Sequence, residues 1–199
     1  MPEKRNIFDV KNPIHLVYFR VDEKGQNKMT PLHYAARYGK IDSAKATEAT
    51  KSEKTWKAIE FLMRHSNDKN AKDKYGFTVL HHAVYRGNVL AVQRLIEGQE
   101  VKSDEVDEQG NTALHLAAQG DHKEVCSLLL QRREGTMIVN KEGLTALHLA
   151  SSAGSLSCIQ ELLKVDQGRE EMLSLEDRWG RTPLLLATSN GNTEVVSIG

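Results

Sequence analysis

Eight histidines are the residues of this 199-residue chain best equipped for chemistry, as metal ligands or general bases. Four of them share one sequence context: His33, His81, His115 and His148, separated by 48, 34 and 33 residues. If such positions lie on successive stacked helices they sit roughly 8–10 Å apart. A shared zinc needs ligands at about 2.1 Å, so no metal site is expected. The expected role is structural, each imidazole hydrogen-bonding backbone in the neighbouring loop. His81 and His82 are adjacent on one helix and point in different directions, and no Cys/His spacing matches a zinc module. Cys126 and Cys158 fall in the second helices of neighbouring units, one residue out of phase. Equivalent helix positions are expected to be too distant for an unstrained bridge, which predicts two free thiols packed in the core. There is no phosphate loop, HExxH, nucleophile elbow or kinase signature. The expectation is no catalytic residue, no cofactor and no enzyme activity.

The elements that position these histidines are legible as internal repeats. Thr30-Pro31-Leu32-His33, Thr78-Val79-Leu80-His81, Thr112-Ala113-Leu114-His115, Thr145-Ala146-Leu147-His148 and Thr182-Pro183-Leu184-Leu185 are one motif read five times. Alanine follows each threonine by five residues: Ala35, Ala83, Ala117, Ala150 and Ala187. Gly39, Gly87, Gly154 and Gly191 follow by nine, and Gly76, Gly110, Gly143 and Gly180 precede by two. Threonine is a helix N-cap, and proline after it sits where its missing N–H costs nothing. The alanine lets neighbouring inner helices approach, and the later glycine suits a helix end of positive φ. A second, outer helix then shows apolar residues at helical spacing, as in Val92-Leu95-Ile96, Val125-Leu128-Leu129 and Ile159-Leu162-Leu163. Asp73, Asp107, Asn140 and Asp177, with the glycine that follows, mark a tight turn at a loop tip. Lys28 in the first copy and Asp121 in the third stand where glycine is expected, leaving those two turns open.

On these residues the chain resembles the ankyrin-repeat family over roughly residues 26–199. The resemblance implies an all-α solenoid of about five helix-turn-helix units with finger loops, acting as a protein-interaction scaffold. The expected division is an N-terminal cap or degenerate repeat over 1–25, then repeats over 26–72, 73–106, 107–139, 140–176 and 177–199, the last one truncated. Repeat one carries a 15-residue excess between its two helices. With no glycine or proline from Lys40 to Tyr75, this excess is read as an extension of the outer helix, the alternative being a disordered mixed-charge insert. Four extra residues around 167–173 lengthen one finger. Asn12-Pro13 is read as the start of a helix in which Ile14, Val17 and Tyr18 cap the first repeat, the alternative being part of a degenerate earlier repeat. The chain ends inside the outer helix of copy five, which reads as a fragment of a longer array or as an edge covered by a partner.

Composition narrows the function classes. Lys+Arg and Asp+Glu number 27 each, so the chain lacks the basic excess of a nucleic-acid binder. No apolar run approaches the ~20 residues of a bilayer span, and the N-terminus lacks the apolar core of a secretory signal. A cytoplasmic, reducing compartment fits two cysteines in a chain of this length.

The positions that the repeat leaves free carry the functional content. They lie four, three and one residues before each threonine and seven and eight after it, 25 in all, on the fingers and exposed inner-helix ends of the concave side. Five of the chain's 11 aromatics fall there: Tyr38, Tyr75, Phe77, Tyr85 and Trp179. Arg37, Arg86, Arg178 and Arg181 occupy the same slots. Tyr, Trp and Arg are enriched at interface hot spots. The expected partner-binding set is Arg37, Tyr38, Tyr75, Phe77, Tyr85, Arg86 and Trp179, facing a protein partner. The alternative for Tyr75 and Phe77 is packing between adjacent fingers. The structural set is Thr30, His33, Thr78, His81, Thr112, His115, Thr145, His148 and Thr182. The strings MTPLHYAARYGK and RWGRTPLLLATSNGN, with the irregular spacing, are also similar to the N-terminal stack of transient receptor potential channels of the ankyrin type. That resemblance implies a cytosolic array, tethered to a membrane channel, that couples stimuli to a cation pore outside this chain.

Overall fold

The computed structural model of the chain describes residues 22–38, 48–98, 101–132, 135–165 and 168–197, and of residues 38 and 48–56 the backbone alone. The cap read around Asn12-Pro13 and the turn at Gly39 lie outside the described residues. In chain order the helices are α1 (Pro31–Tyr38), α2 (Glu48–His65), α3 (Val79–Tyr85), α4 (Val89–Glu97), α5 (Ala113–Gln119), α6 (Lys123–Leu130), α7 (Ala146–Ala153), α8 (Leu156–Leu162), α9 (Arg169–Ser174), α10 (Pro183–Ser189) and α11 (Thr193–Val196). No strand occurs among the described residues.

Every inner helix (α1, α3, α5, α7, α10) begins one residue after a repeat threonine. That threonine is extended in copies two to five, Thr78 for example at φ −85° and ψ 174°. Its hydroxyl accepts from the N–H three residues on, at 3.4 Å in Thr78 and Thr145 and 3.3 Å in Thr182. Helices of seven or eight residues are too short to stand alone in water, so their stability comes from stacking. The inner helices pack in series, α1 on α3, α3 on α5, α5 on α7 and α7 on α10. The alanine five residues after the threonine is the contact point, with Ala35 3% exposed and the other four at 0%. Outer helices form a parallel series, α2–α4–α6–α8–α11. Ile59, Leu62, Val92, Leu95, Val125, Leu129, Ile159 and Leu162 fill one core continuous through all units. α2 runs 18 residues, against nine or fewer in the other outer helices. In the lengthened finger before copy five the extra residues form α9, whose Met172 is fully buried in the same core.

The fingers are joined edge to edge by backbone hydrogen bonds. Lys74 N donates to Asn27 O at 2.7 Å, Glu108 N to Tyr75 O at 3.0 Å, Lys141 N to Gln109 O at 2.9 Å and Arg178 N to Glu142 O at 3.2 Å. This contact explains the glycine two residues before the threonine. Gly110 has φ +82°, and a Cβ there would lie 2.9 Å from Lys141 N of the next finger. Where the repeat departs from glycine the backbone keeps the same hand, with Lys28 at φ +59° and Asp121 at φ +50°. Asp121 compensates by accepting from Cys158 N at 2.9 Å, so its side chain caps the outer helix of the next unit.

The reading of the cysteines requires correction. Cys126 in α6 and Cys158 in α8 are disulfide-bonded, with Cα atoms 6.0 Å apart. Helix axes separated by about 8–10 Å were the wrong measure, because each Cα lies about 2.3 Å off its axis. The one-residue offset in phase turns the two side chains towards each other and brings the Cα pair within bridging range.

In copy five the corresponding positions are open. The leucine two residues after the threonine is nearly inaccessible in Leu32, Leu80, Leu114 and Leu147, yet Leu184 is 45% exposed. A Cβ added at Gly180 would likewise meet only Glu176 Oε2, at 3.7 Å. Gly110→Ala and Gly180→Ala therefore separate two costs. Both place a side chain at positive φ, roughly 1–2 kcal/mol, but only the first drives a methyl into a neighbouring backbone. Chemical denaturation should show the larger loss for Gly110→Ala, by about 1–3 kcal/mol more. Equal losses would mean that finger contact is not what demands glycine.

Candidate functional site

The four recurring histidines form one repeated device. In each unit the threonine N–H donates to the imidazole Nδ1, at 3.0 Å for Thr30–His33, 3.3 Å for Thr78–His81, 3.1 Å for Thr112–His115 and 3.2 Å for Thr145–His148. The opposite nitrogen reaches into the next finger. His33 Nε2 lies 2.9 Å from Ala71 O and 3.1 Å from Phe77 O, His81 Nε2 3.1 Å from Asn111 O, His115 Nε2 3.0 Å from Leu144 O and His148 Nε2 3.1 Å from Arg181 O. A carbonyl can only accept, so Nε2 carries the proton and the ring is neutral. Burial pushes all four rings below their usual pKa, and the carbonyl hydrogen bonds only partly offset it. The arrangement clamps unit to unit, and no reacting group faces it.

Finger tips are fixed by their acidic or amide residue. Asp73 Oδ1 accepts from Tyr75 N at 2.8 Å and Phe77 N at 3.0 Å, and Asp107, Asn140 and Asp177 repeat the pattern. The other terminal atom finds a different partner in different copies, Asn140 Nδ2 donating to Asn111 Oδ1 at 2.9 Å while the aspartates use Oδ2. In copy two it accepts from His82 Nε2 at 3.0 Å, both side chains being buried. Burial, with His33 beside it at 5.4 Å, pushes His82 down to about 4, against the pull of Asp73. In copy five Asp177 Oδ2 pairs with Arg181 at 2.6 Å. Burial works to raise the Asp177 carboxyl, but the hydrogen bonds from Arg181 and Trp179 N–H outweigh it and hold it below its usual value.

The slot residues sort by exposure. Tyr75 (45%), Tyr85 (56%) and Trp179 (60%) are open to solvent. Phe77 is half-buried, stacked on His81 at 5.5 Å, edge-on to His82 at 5.4 Å and 6.4 Å from Tyr85. Its ring thus links the finger to α3. Lys74 Nζ lies 4.6 Å over the Tyr75 ring, and the Arg181 guanidinium 4.5 Å over Trp179. Arg86 is exposed at the end of α3, and Arg37 is half-buried near the end of α1. The Tyr38 side chain lies outside the described residues. Copy two thus gathers Lys74, Tyr75, Phe77, Tyr85 and Arg86 on one finger and one helix end, while Trp179 stands three units away. Sequence reasoning missed the His82–Asp73 pair and the Asp121 cap. The adjacent His81-His82, found in copy two alone, was the available signal for the pair. Among the described residues no three potential ligands converge as a metal site, and no helix is long and apolar enough to cross a membrane.

Paired short helices, stacked in register and edged by hydrogen-bonded fingers, define a repeat solenoid. The family model for ankyrin repeats in three copies matches residues 47–139 and 134–198, and the single ankyrin-repeat model matches residues 27–47. The chain belongs to the ankyrin-repeat family and is a protein-interaction scaffold of that type. It is 28% identical over 186 residues to the human transient receptor potential cation channel subfamily A member 1, covering 92% of this chain and 15% of the channel. It is 31% identical over 173 residues to the ankyrin repeat protein nuc-2 of Neurospora crassa, covering 87% of this chain and 14% of that protein. A probable 26S proteasome regulatory subunit, p28 of Saccharomyces cerevisiae, is 28% identical over 194 residues, 95% of this chain and 77% of the relative. The chain therefore spans about one-seventh of the length of the first two.

The histidine clamps make stability depend on pH. Unfolded, each ring titrates near 6.5 and binds a proton below it; folded, it resists protonation until lower pH, near 4 for His82. The unfolded state therefore binds more protons in this window, and stability falls as pH drops below about 6.5. Thermal melting between pH 7.5 and 4.5 should show a constant midpoint above about pH 7 and a progressive fall below 6.5. A flat profile across the whole range would show that the rings are not held neutral.

Proposed function

We propose that this array is a non-catalytic scaffold whose protein partner docks on the fingers and exposed inner-helix ends, chiefly in copies one and two. The observation that carries this reading is the exposure of Tyr75, Tyr85 and Trp179 at slots where the repeat itself requires no aromatic. Large apolar rings left in solvent on a rigid frame lose little conformational entropy when covered. The binding set is Arg37, Tyr38, Tyr75, Tyr85, Arg86 and Trp179, with Phe77 as the packing support beneath Tyr85. The proposed division into repeats is 26–72, 73–106, 107–139, 140–176 and 177–199, after residues 1–25 as a cap or a degenerate repeat.

A second reading is favoured by the 92% coverage of this chain in its match to the human channel. Under it the array is the cytosolic part of a channel of that type, and the pore lies outside this chain. The coding sequence beyond residue 199 decides this: six apolar spans support the channel, and an early stop codon removes it.

The docking face is tested by Tyr75→Ala/Tyr85→Ala, with Trp179→Ala as a separate variant. Immobilised wild-type chain and variants are exposed to one cell extract, and the retained proteins are identified by mass spectrometry. The double variant should lose at least one specifically retained protein, about tenfold in recovery, with a melting temperature within about 2 °C of wild type. A lowered melting temperature with unchanged capture would assign the two tyrosines to packing.

A further inference from the structure

The whole chain is electrically balanced, with 27 basic and 27 acidic residues. The 25 slots that the repeat leaves free are not. They hold six basic residues (Arg37, Lys74, Arg86, Lys141, Arg178 and Arg181) and two acidic ones, Glu108 and Glu142. The remainder of the molecule is correspondingly acidic. The sorting has a second level: both glutamates stand in the middle copies three and four, while the slots of copies one, two and five contain no acidic residue.

The described side chains show which of these charges are already used. Arg181 is paired with Asp177. Lys74, Arg86, Lys141 and Arg178 are all exposed, and among the described residues none forms an ion pair. In copies two and five a cation not paired with a carboxylate adjoins an exposed aromatic ring, Lys74 lying over Tyr75 itself. Lys74 and Arg86 flank Tyr75 and Tyr85 in copy two, and Arg178 precedes Trp179 in copy five. Three unit steps of about 8–10 Å separate the two clusters, roughly 24–30 Å. An extended segment rising about 3.3 Å per residue spans that distance with eight to ten residues. A helix would need about twice as many.

We infer that the partner presents an extended acidic segment, with carboxylates and apolar side chains near both of its ends and a less charged middle. Carboxylates at the ends meet Lys74 with Arg86, and Arg178. Apolar side chains cover Tyr75, Tyr85 and Trp179. The centre passes Glu108, Lys141 and Glu142, whose charges nearly cancel, so acidic residues gain there far less than at the two ends. This inference rests on the proposed docking face and specifies the chemistry of its occupant.

The test is fluorescence anisotropy with the full chain and three labelled probes. The first is a 14-residue peptide with two Glu and one Phe at each end and a Ser/Gly middle. The second is the same peptide with every Glu replaced by Lys. The third is a 14-nucleotide oligothymidylate. The acidic peptide should bind saturably and weaken several-fold between 50 and 250 mM NaCl, while the lysine peptide and the oligonucleotide bind at least tenfold more weakly. Lys74→Glu/Arg86→Glu and Arg178→Glu should each weaken the acidic peptide about tenfold with melting temperature unchanged. Glu108→Gln/Glu142→Gln should not weaken it. The inference is overturned if the lysine peptide binds as well, if charge reversal leaves the acidic peptide unaffected, if the oligonucleotide competes equally, or if no peptide binds. Should the lysine peptide bind and Tyr75→Ala/Tyr85→Ala abolish it, the docking face stands and only its acidic occupant falls. If the wild-type chain binds no peptide and retains no extract protein that Tyr75→Ala/Tyr85→Ala loses, the docking face falls as well.

Discussion

A short helix pair cannot bury its own apolar face, so everything in this molecule depends on how firmly one unit holds the next. The holding group is an imidazole kept neutral. Its Nδ1 takes the threonine N–H that opens its own helix, and its Nε2–H goes to a carbonyl of the following finger. One ring thus couples where a helix starts to where the neighbouring finger sits. The close inner-helix contact at the alanines, the finger-to-finger hydrogen bonds and the burial of the outer leucines all presuppose that spacing. A side chain usually associated with proton transfer is here valued for having one donor and one acceptor on opposite edges of a rigid ring.

Much of this was readable from the residues, because the repeat writes the same physical problem five times. Thr-X-Leu-His with a trailing alanine identifies a cap, a core residue, a clamp and a contact point wherever it recurs. What escaped was the variation within a repeated position. Asp73, Asp107, Asn140 and Asp177 look alike in sequence, but their outer atoms find different partners, His82 in one copy and Arg181 in another. The cysteines escaped for a geometric reason. A distance between helix axes does not report the distance between residues on their facing sides, and a single step of phase decides which residues face. Lys28 and Asp121 show the opposite limit: the fold imposes a left-handed turn even where the side chain disfavours it. For the candidate docking face, sequence supplied the positions and structure supplied their exposure. Phe77 and Tyr85 are indistinguishable as aromatic slot residues, yet one is half-buried on the histidines and the other mostly in solvent.

The division of labour between positions also explains how such a face can evolve contact without loss of fold. Residues that carry the clamp, the cap and the core are enclosed, while the slots between them contribute little to stacking. Charge and aromatic area can therefore collect at the slots of copies two and five with the spine unchanged. Cation–ring contacts such as Lys74 over Tyr75 and Arg181 over Trp179 keep those rings ordered while leaving area uncovered.

The bridge between Cys126 and Cys158 alters how the array comes apart. In a stack held only by neighbour contacts, fraying begins at an end and advances one unit at a time, each step nearly independent of the last. A covalent link between the outer helices of copies three and four welds them into one cooperative block. Fraying that reaches copy four from its C-terminal side then meets a double step in place of a single one. The rings and cations of copy two lie on the N-terminal side of that block, sheltered from events beyond it.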